Sequence, residues 1–168
     1  KQATLQGVAN ELQQQYISQG YYNSSIEVDQ TLLDGNRVKL DVRFIEGKAA
    51  KVVDINIIGN QHFSDEEIKD VFAVKETSWA NIISKSDRYA KEKLGASLEN
   101  LKALYQNDGY VRFNVDNAIL NISEDKKSVF IEISLTEGDQ YQFGDISFLG
   151  EPKFDVDDLS ELVTFNAD

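Results

Sequence analysis

The chain contains no cysteine and no methionine, and only one proline, one tryptophan and one histidine among its 168 residues. Without cysteine there is no disulfide, no thiolate nucleophile and no Cys-ligated zinc. A single histidine, His62, rules out a His-pair metal site within the chain. Pro152 alone makes no proline-rich linker, and without methionine there is no pliable Met-lined groove. Basic residues are also scarce: 17 Lys+Arg stand against 29 Asp+Glu, a formal charge of -12. A surface of that sign repels phosphate and no basic stripe overrides it, which argues against a nucleic-acid partner. No apolar run approaches the roughly 18–20 residues needed to span a bilayer as a helix. The N-terminus, Lys1-Gln2-Ala3-Thr4, has neither a start methionine nor the apolar stretch of a signal peptide. The chain therefore reads as a piece of a longer or processed one.

What the sequence does contain is an internal repeat. Asp54-Ile55-Asn56-Ile57-Ile58-Gly59 matches Asp145-Ile146-Ser147-Phe148-Leu149-Gly150 at an offset of 91, and Phe63, Ile68 and Phe72 fall on Phe154, Leu159 and Val163. Leu5, Ala9, Leu12 and Tyr16 fall on Leu94, Leu98, Leu101 and Tyr105 at an offset of 89, each series running into Gly-Tyr (Gly20-Tyr21, Gly109-Tyr110). Val38, Leu40, Val42 and Phe44 fall on Val129, Ile131, Ile133 and Leu135, again offset by 91, and each run ends in Glu-Gly (Glu46-Gly47, Glu137-Gly138). The period is thus about 90 residues, as expected of an array built from one supersecondary unit. Its phase predicts one complete unit over 48–138, the second half of a preceding unit over 1–47 and the first half of a following one over 139–168.

Within the complete unit, Lys51 to Ile58 is β-branched, with Val53, Ile55 and Ile57 expected on the buried face and Asp54 and Asn56 on the wet one. Ser64-Asp65-Glu66-Glu67 is a capping box, followed by the short apolar stripe Ile68, Val71 and Phe72. Residues 75–90 form a long connection holding Trp79, Ile82 and Ile83. Leu94, Leu98, Leu101 and Tyr105 are spaced for a second helix, ended by Asn107-Asp108-Gly109. Val111, Phe113 and Val115 open a strand that Ile119–Ile122 extends, and after the polar turn 123–127 the run from Val129 to Leu135 alternates again. The expected fold is α+β: strand, helix, helix, strand, strand, a three-stranded mixed sheet covered on one face by two helices. The flanking halves fit the same template. Residues 5–18 make a second helix, 23–32 and 37–45 a hairpin turned at Asp34-Gly35-Asn36, 143–149 a first strand and 156–164 a first helix capped by Asp155.

Little of this carries chemistry. Asp65-Glu66-Glu67 and Asp155-Val156-Asp157-Asp158 are carboxylate clusters, but both sit where a helix N-terminus attracts acids. Asp34-Gly35-Asn36 lacks the alternating acidic ligands of a calcium loop. His62 has no partner nearby in sequence and reads as a solvated turn residue. Trp79, with Ile82 and Ile83, reads as a loop staple rather than an exposed binding aromatic. Neither Gly59-Asn60-Gln61 nor Gly138-Asp139-Gln140 is a phosphate loop. No catalytic, metal or cofactor site is expected, and the chain is not read as an enzyme. What remains is a sheet edge. Asn114-Val115-Asp116-Asn117-Ala118-Ile119-Leu120 carries no proline or lysine to block an added strand, and backbone pairing would suit a partner that accepts many unfolded clients.

The segments 55–64, 98–110 and 129–135 and the Thr136-Glu137-Gly138-Asp139-Gln140-Tyr141 link resemble POTRA domains of the Omp85 family of outer-membrane protein assembly factors. The resemblance covers essentially the whole chain, as the second half of a second domain, a whole third and the first half of a fourth. It implies a location on the periplasmic side of a Gram-negative outer membrane and a scaffold that receives unfolded outer-membrane proteins. It also implies accessory lipoproteins of the assembly machinery as partners, a C-terminal outer-membrane barrel on the parent chain, and a pairing edge at about 112–121. Two other readings stand beside it: a rigid interdomain spacer, and the POTRA region of a secretion transporter or a division protein. The complementary halves at the two ends further predict swapped or edge-to-edge self-association.

Overall fold

Strand gives way to helix where the apolar period changes from two residues to between three and four. The computed structural model describes residues 2–78, 87–142, 144, 149, 150, 153 and 155, and the side chains from residue 7 onward within these. In chain order the described elements are α1 (Gln2–Ser18), β1 (Ser25–Leu33), β2 (Arg37–Ile45), β3 (Lys51–Ile58), α2 (Asp65–Val71), α3 (Lys91–Asn107), β4 (Asn114–Ile122) and β5 (Ser128–Thr136). The capping box forms as expected: the Glu67 amide donates to the Ser64 hydroxyl while Ser64 N–H donates to the Glu67 carboxylate. Most of the first strand expected over 143–149, all of the helix expected over 156–164, and the cluster of Trp79, Ile82 and Ile83 lie outside the described residues.

β3, β5 and β4 form a three-stranded sheet in that order, β3 parallel and β4 antiparallel to the central β5. One face is apolar throughout. Val129, Ile131, Ile133 and Leu135 of β5, with Val52, Ile55 and Ile57 of β3, pack against Ile68 and Phe72 from α2 and its C-cap and Leu101 and Tyr105 from α3. This is the α+β arrangement of strand, helix, helix, strand, strand.

Two details depart from simple alternation. The β3–β5 register shifts between Val52 and Asp54, so Val53 is an inserted bulge residue. Val52 therefore takes the buried position expected for Val53, and Val53 is left 46% exposed. Residues 111–113 do not join the second strand. The chain turns there instead, with Tyr110 N–H donating to Tyr105 O and Phe113 N–H to Tyr110 O. Phe113 still reaches the core, whereas Val111 is exposed.

Upstream, β1 and β2 form an antiparallel hairpin against α1. It meets the three-stranded unit at one joint: Ala50 N–H donates to Gly20 O, the Asn23 side chain donates to Asp125 O, and Tyr22 stacks on Tyr89. The chain leaves the unit through a comparable joint, in which Tyr141 N–H donates to Gly109 O and the Gln140 amide to Asp108 O.

Candidate partner-binding edge

The two edges of the three-stranded sheet differ. Along β3 the connection between α2 and α3 closes the edge. Thr77 N–H donates to Val52 O, Val52 N–H to Asp87 O, and Ile55 N–H to the Glu76 carboxylate. Asp87, 2% exposed, anchors this strap through Lys51 Nζ at 2.6 Å. Along β4 the picture is the reverse. Among the described residues, no backbone bond outside the ladder with β5 involves 114–122. The expected edge residues Asn114, Val115, Asp116, Asn117, Ala118, Ile119 and Leu120 thus all lie on the open side of the sheet, and an open edge offers unpaired N–H and C=O groups to an added strand.

That edge is not uniform. The β4–β5 register shifts between Val115 and Asn117, making Asp116 a bulge residue. Its carboxylate accepts from the Thr136 hydroxyl at 2.6 Å and the Asn114 amide at 2.7 Å, and these two bonds hold it below the usual carboxylate range. The bulge also swaps the faces. Val115 lies opposite buried Leu135, but beyond Asp116 it is Ala118 and Leu120 that lie opposite buried Ile133 and Ile131, while Ile119 faces Glu132 on the outer side. Six residues, Asn117–Ile122, pair without interruption. Beside the N-terminal end of β4, a groove of about 200 Å³ runs between strand and helix, lined by Leu98, Glu99 and Lys102 of α3 and by Phe113, Asn114 and Val115.

His62 does not behave as a solvated turn residue. Its ring packs on Phe63 and Tyr110, and Nε2 pairs with the Asp108 carboxylate at the end of α3. Nor does sequence reading single out Glu137. Its Oε1 accepts three bonds, from Gln61 N–H at 2.8 Å, His62 N–H at 3.0 Å and the Tyr105 hydroxyl at 2.8 Å. Burial pushes this carboxyl up, but the His62 and Gln61 amides and the Tyr105 hydroxyl outweigh it and hold the group below the ordinary glutamate range. The phenol is pushed up, first by burial and then by Glu137. The same pair recurs upstream, Tyr16 donating to Glu46 at 2.9 Å. The signal was present in the repeated Tyr and Glu-Gly, and a pairing between them would have found it.

Among the described residues no group of three or more metal-ligating side chains gathers, and no helix is long and apolar enough to cross a membrane. A three-stranded unit with one strapped and one open edge, jointed to a like neighbour, defines a repeat module.

The chain belongs to the POTRA family, whose sequence profile, described as surface antigen variable number repeat, matches residues 50–138. It is 31% identical over 162 residues to the outer membrane protein assembly factor BamA of Neisseria meningitidis, covering 94% of this chain and 20% of the relative. It is 34% identical over 128 residues to BamA of Buchnera aphidicola, covering 76% of this chain and 21% of that protein. The chain therefore spans about a fifth of the length of these relatives. Its fold is similar to that of POTRA domains 3–5 of Haemophilus influenzae BamA, with a TM-score of 0.53 at 18% identity, over 96% of this chain and 61% of that one.

Proposed function

We propose that the chain is a periplasmic scaffold and binding module of an outer-membrane β-barrel assembly machinery. It receives unfolded outer-membrane proteins, and accessory lipoproteins, by strand addition at β4. In this reading 48–138 is one whole domain, and 1–47 and 139–168 are halves of its neighbours in the array. No covalent chemistry or nucleotide is involved; affinity comes from backbone pairing, with side chains of the added strand seated beside α3. The observation that carries the reading is the asymmetry of the sheet, strapped at β3 and bare at β4, in a chain similar to proteins named as outer membrane protein assembly factors.

The test is site-specific photocrosslinking to an unfolded outer-membrane strand peptide, scanned along 114–122 and compared with 25–33. Crosslinks should concentrate on β4. Because successive residues of a strand point their amides in opposite directions, proline placed singly at Ala118 and Ile119 should separate two effects. One substitution removes an outward amide and with it the crosslink, with the fold intact. The other breaks the ladder to β5 and unfolds the unit. A folded proline variant at each position with crosslinking unchanged favours the rigid-spacer reading instead.

A further inference from the structure

The only histidine of the chain stands beside the joint through which the chain leaves the three-stranded unit. The His62 ring packs against Phe63 and Tyr110, with centroids 4.5 and 4.9 Å away. So placed, its Nε2 meets the carboxylate of Asp108, the residue that closes α3. Asp108 in turn receives the outgoing chain: the Gln140 amide donates to its carbonyl at 2.9 Å and to its carboxylate at 3.3 Å. One residue further on, Tyr141 N–H donates to Gly109 O at 2.9 Å. A continuous path of contacts thus runs from the His62 ring, through Asp108 and Gln140, to the backbone bond that makes the joint.

Acids from three elements surround the ring: Asp108 at the end of α3, Glu67 on α2 and Glu137 after β5. Glu67 is held below the ordinary glutamate range first by its bonds to Ser64 and last by the charge of His62. Glu137, pushed up by burial and lowered by more through the amides and hydroxyl it accepts, feels the same charge. The phenols of Tyr110 and, behind it, Tyr105 complete the surroundings; burial pushes both up, so both stay neutral where an imidazole titrates. A charged ring attracts all three carboxylates. A neutral ring offers Asp108 only an ordinary hydrogen bond, and only when its proton sits on Nε2. Imidazole changes charge between about pH 5 and 8. The entry joint is built differently. Gln19 stands at the repeat position of Asp108 and donates its amide to Glu92 at 3.0 Å, and Ala50 stands at that of Tyr141.

We infer that His62 and Asp108 form a proton-operated latch on the exit joint: the charged ring fixes the Asp108 carboxylate and, through Gln140, holds 140–141 against the end of α3, and the neutral ring lets that link loosen. The link tightens as pH falls through the imidazole titration. The response is confined to this joint, because the entry joint contains no imidazole. It is also partial, because the Gly109–Tyr141 bond and the Arg112 guanidinium, 5.6 Å over the Tyr141 ring, remain in either state. The inference is independent of strand addition at β4.

Hydrogen exchange of two amides tests it on the unaltered chain. The Tyr141 amide reports the exit joint, and the Ala50 amide, bonded to Gly20 O, reports the entry joint as an internal reference. Both are read as protection factors, which divide out the intrinsic pH dependence of exchange, from about pH 5 to 8. The ring is followed in the same samples by its proton resonance, which needs no assignment because the chain has one histidine. The ratio of Tyr141 to Ala50 protection should fall roughly two- to fivefold as the ring loses its proton, the scale of a partly exposed charge pair. Its midpoint should coincide with that of the ring. Two variants break the latch from either side: His62→Gln leaves a neutral amide donor, and Asp108→Asn keeps the shape of the acceptor without its charge. In both, the ratio should stay flat at the value the unaltered chain reaches at high pH. A ratio that does not change across the range in the unaltered chain overturns the inference. So does a Tyr141 amide unprotected at every pH, or the same fall in either variant, which would assign the response to another group.

Discussion

At the scale of single residues, Glu137 holds more of the unit together than any sequence motif suggested. One carboxylate oxygen ties the turn after β3, through Gln61 and His62, to Tyr105 on α3 and to the end of β5. Glu137→Ala leaves the phenol of Tyr105, a residue with no exposed surface, without its acceptor. The expected loss is about 1–3 kcal/mol of unfolding free energy, measured by urea denaturation. The pH dependence has a definite sign. The native carboxyl titrates below the ordinary glutamate range, so the unfolded state binds the proton more readily. Its stabilisation is complete at neutral pH and is lost as pH falls through the lowered native value. Denaturation midpoints followed into acid should therefore fall more steeply for the unaltered chain than for Glu137→Gln; parallel curves would remove Glu137 from the acid limb. This latch was half legible in the sequence. The repeated Tyr16/Tyr105 and Glu46/Glu137 were visible as two patterns, but they are 30 and 32 residues apart, and only the fold shows that they touch. The same is true of His62, whose partner Asp108 comes from another element.

At the scale of elements, strand faces were legible wherever the period of two ran unbroken, as along β5, where Val129, Ile131, Ile133 and Leu135 all point inward. It failed at one residue in each flanking strand, Val53 and Asp116, because a bulge inserts a residue without altering composition. An aliphatic residue before an aspartate looks the same on either face until the register is known. The consequence for the candidate edge is concrete: the uninterrupted stretch is Asn117–Ile122, and the bulge with its pinned Asp116 sets its upstream limit. The closed edge yields its own prediction. Lys51 is the ion-pair partner of the buried Asp87 carboxylate, and Lys51→Met removes it. A buried charge left without its partner costs about 3–5 kcal/mol; with Lys51 half exposed and solvent close by, a loss of about 1–3 kcal/mol is expected. Hydrogen exchange should show it locally, as faster exchange of the Val52 amide, whose acceptor is Asp87 O. Unaltered protection at Val52 would mean that the strap is held by Thr77 and Glu76 without the ion pair.

At the scale of the whole molecule, the repeat acts through its joints. At each one the carbonyl of the glycine just after a long helix accepts an amide of the chain entering the next unit, from Ala50 to Gly20 and from Tyr141 to Gly109, both at 2.9 Å. Both glycines have left-handed backbone, with φ of 82° and 88°. A Cβ on Gly20 would stand 2.6 Å from Tyr89 O, and one on Gly109 would stand 2.5 Å from Tyr141 O. The glycine thus lets two backbones approach where a side chain would hold them apart. Gly20→Ala meets both costs at once, an unfavourable φ and a contact with a carbonyl that β3 and the strap hold in place. The joint, rather than the core of either unit, is the softer element. Beyond the Gly20–Ala50 bond it rests on the Asn23–Asp125 and Gln19–Glu92 bonds and the Tyr22–Tyr89 stack. The expected outcome is that the three-stranded unit keeps its cooperative unfolding while the hairpin comes loose from it. Nuclear relaxation of the backbone amides measures this directly. In the unaltered chain β1–β2 and β3–β5–β4 should report one rotational correlation time; in Gly20→Ala the hairpin should report a shorter one. A single shared value in the variant would show that the side-chain contacts alone fix the angle between neighbours, and that the glycine serves only to end the helix.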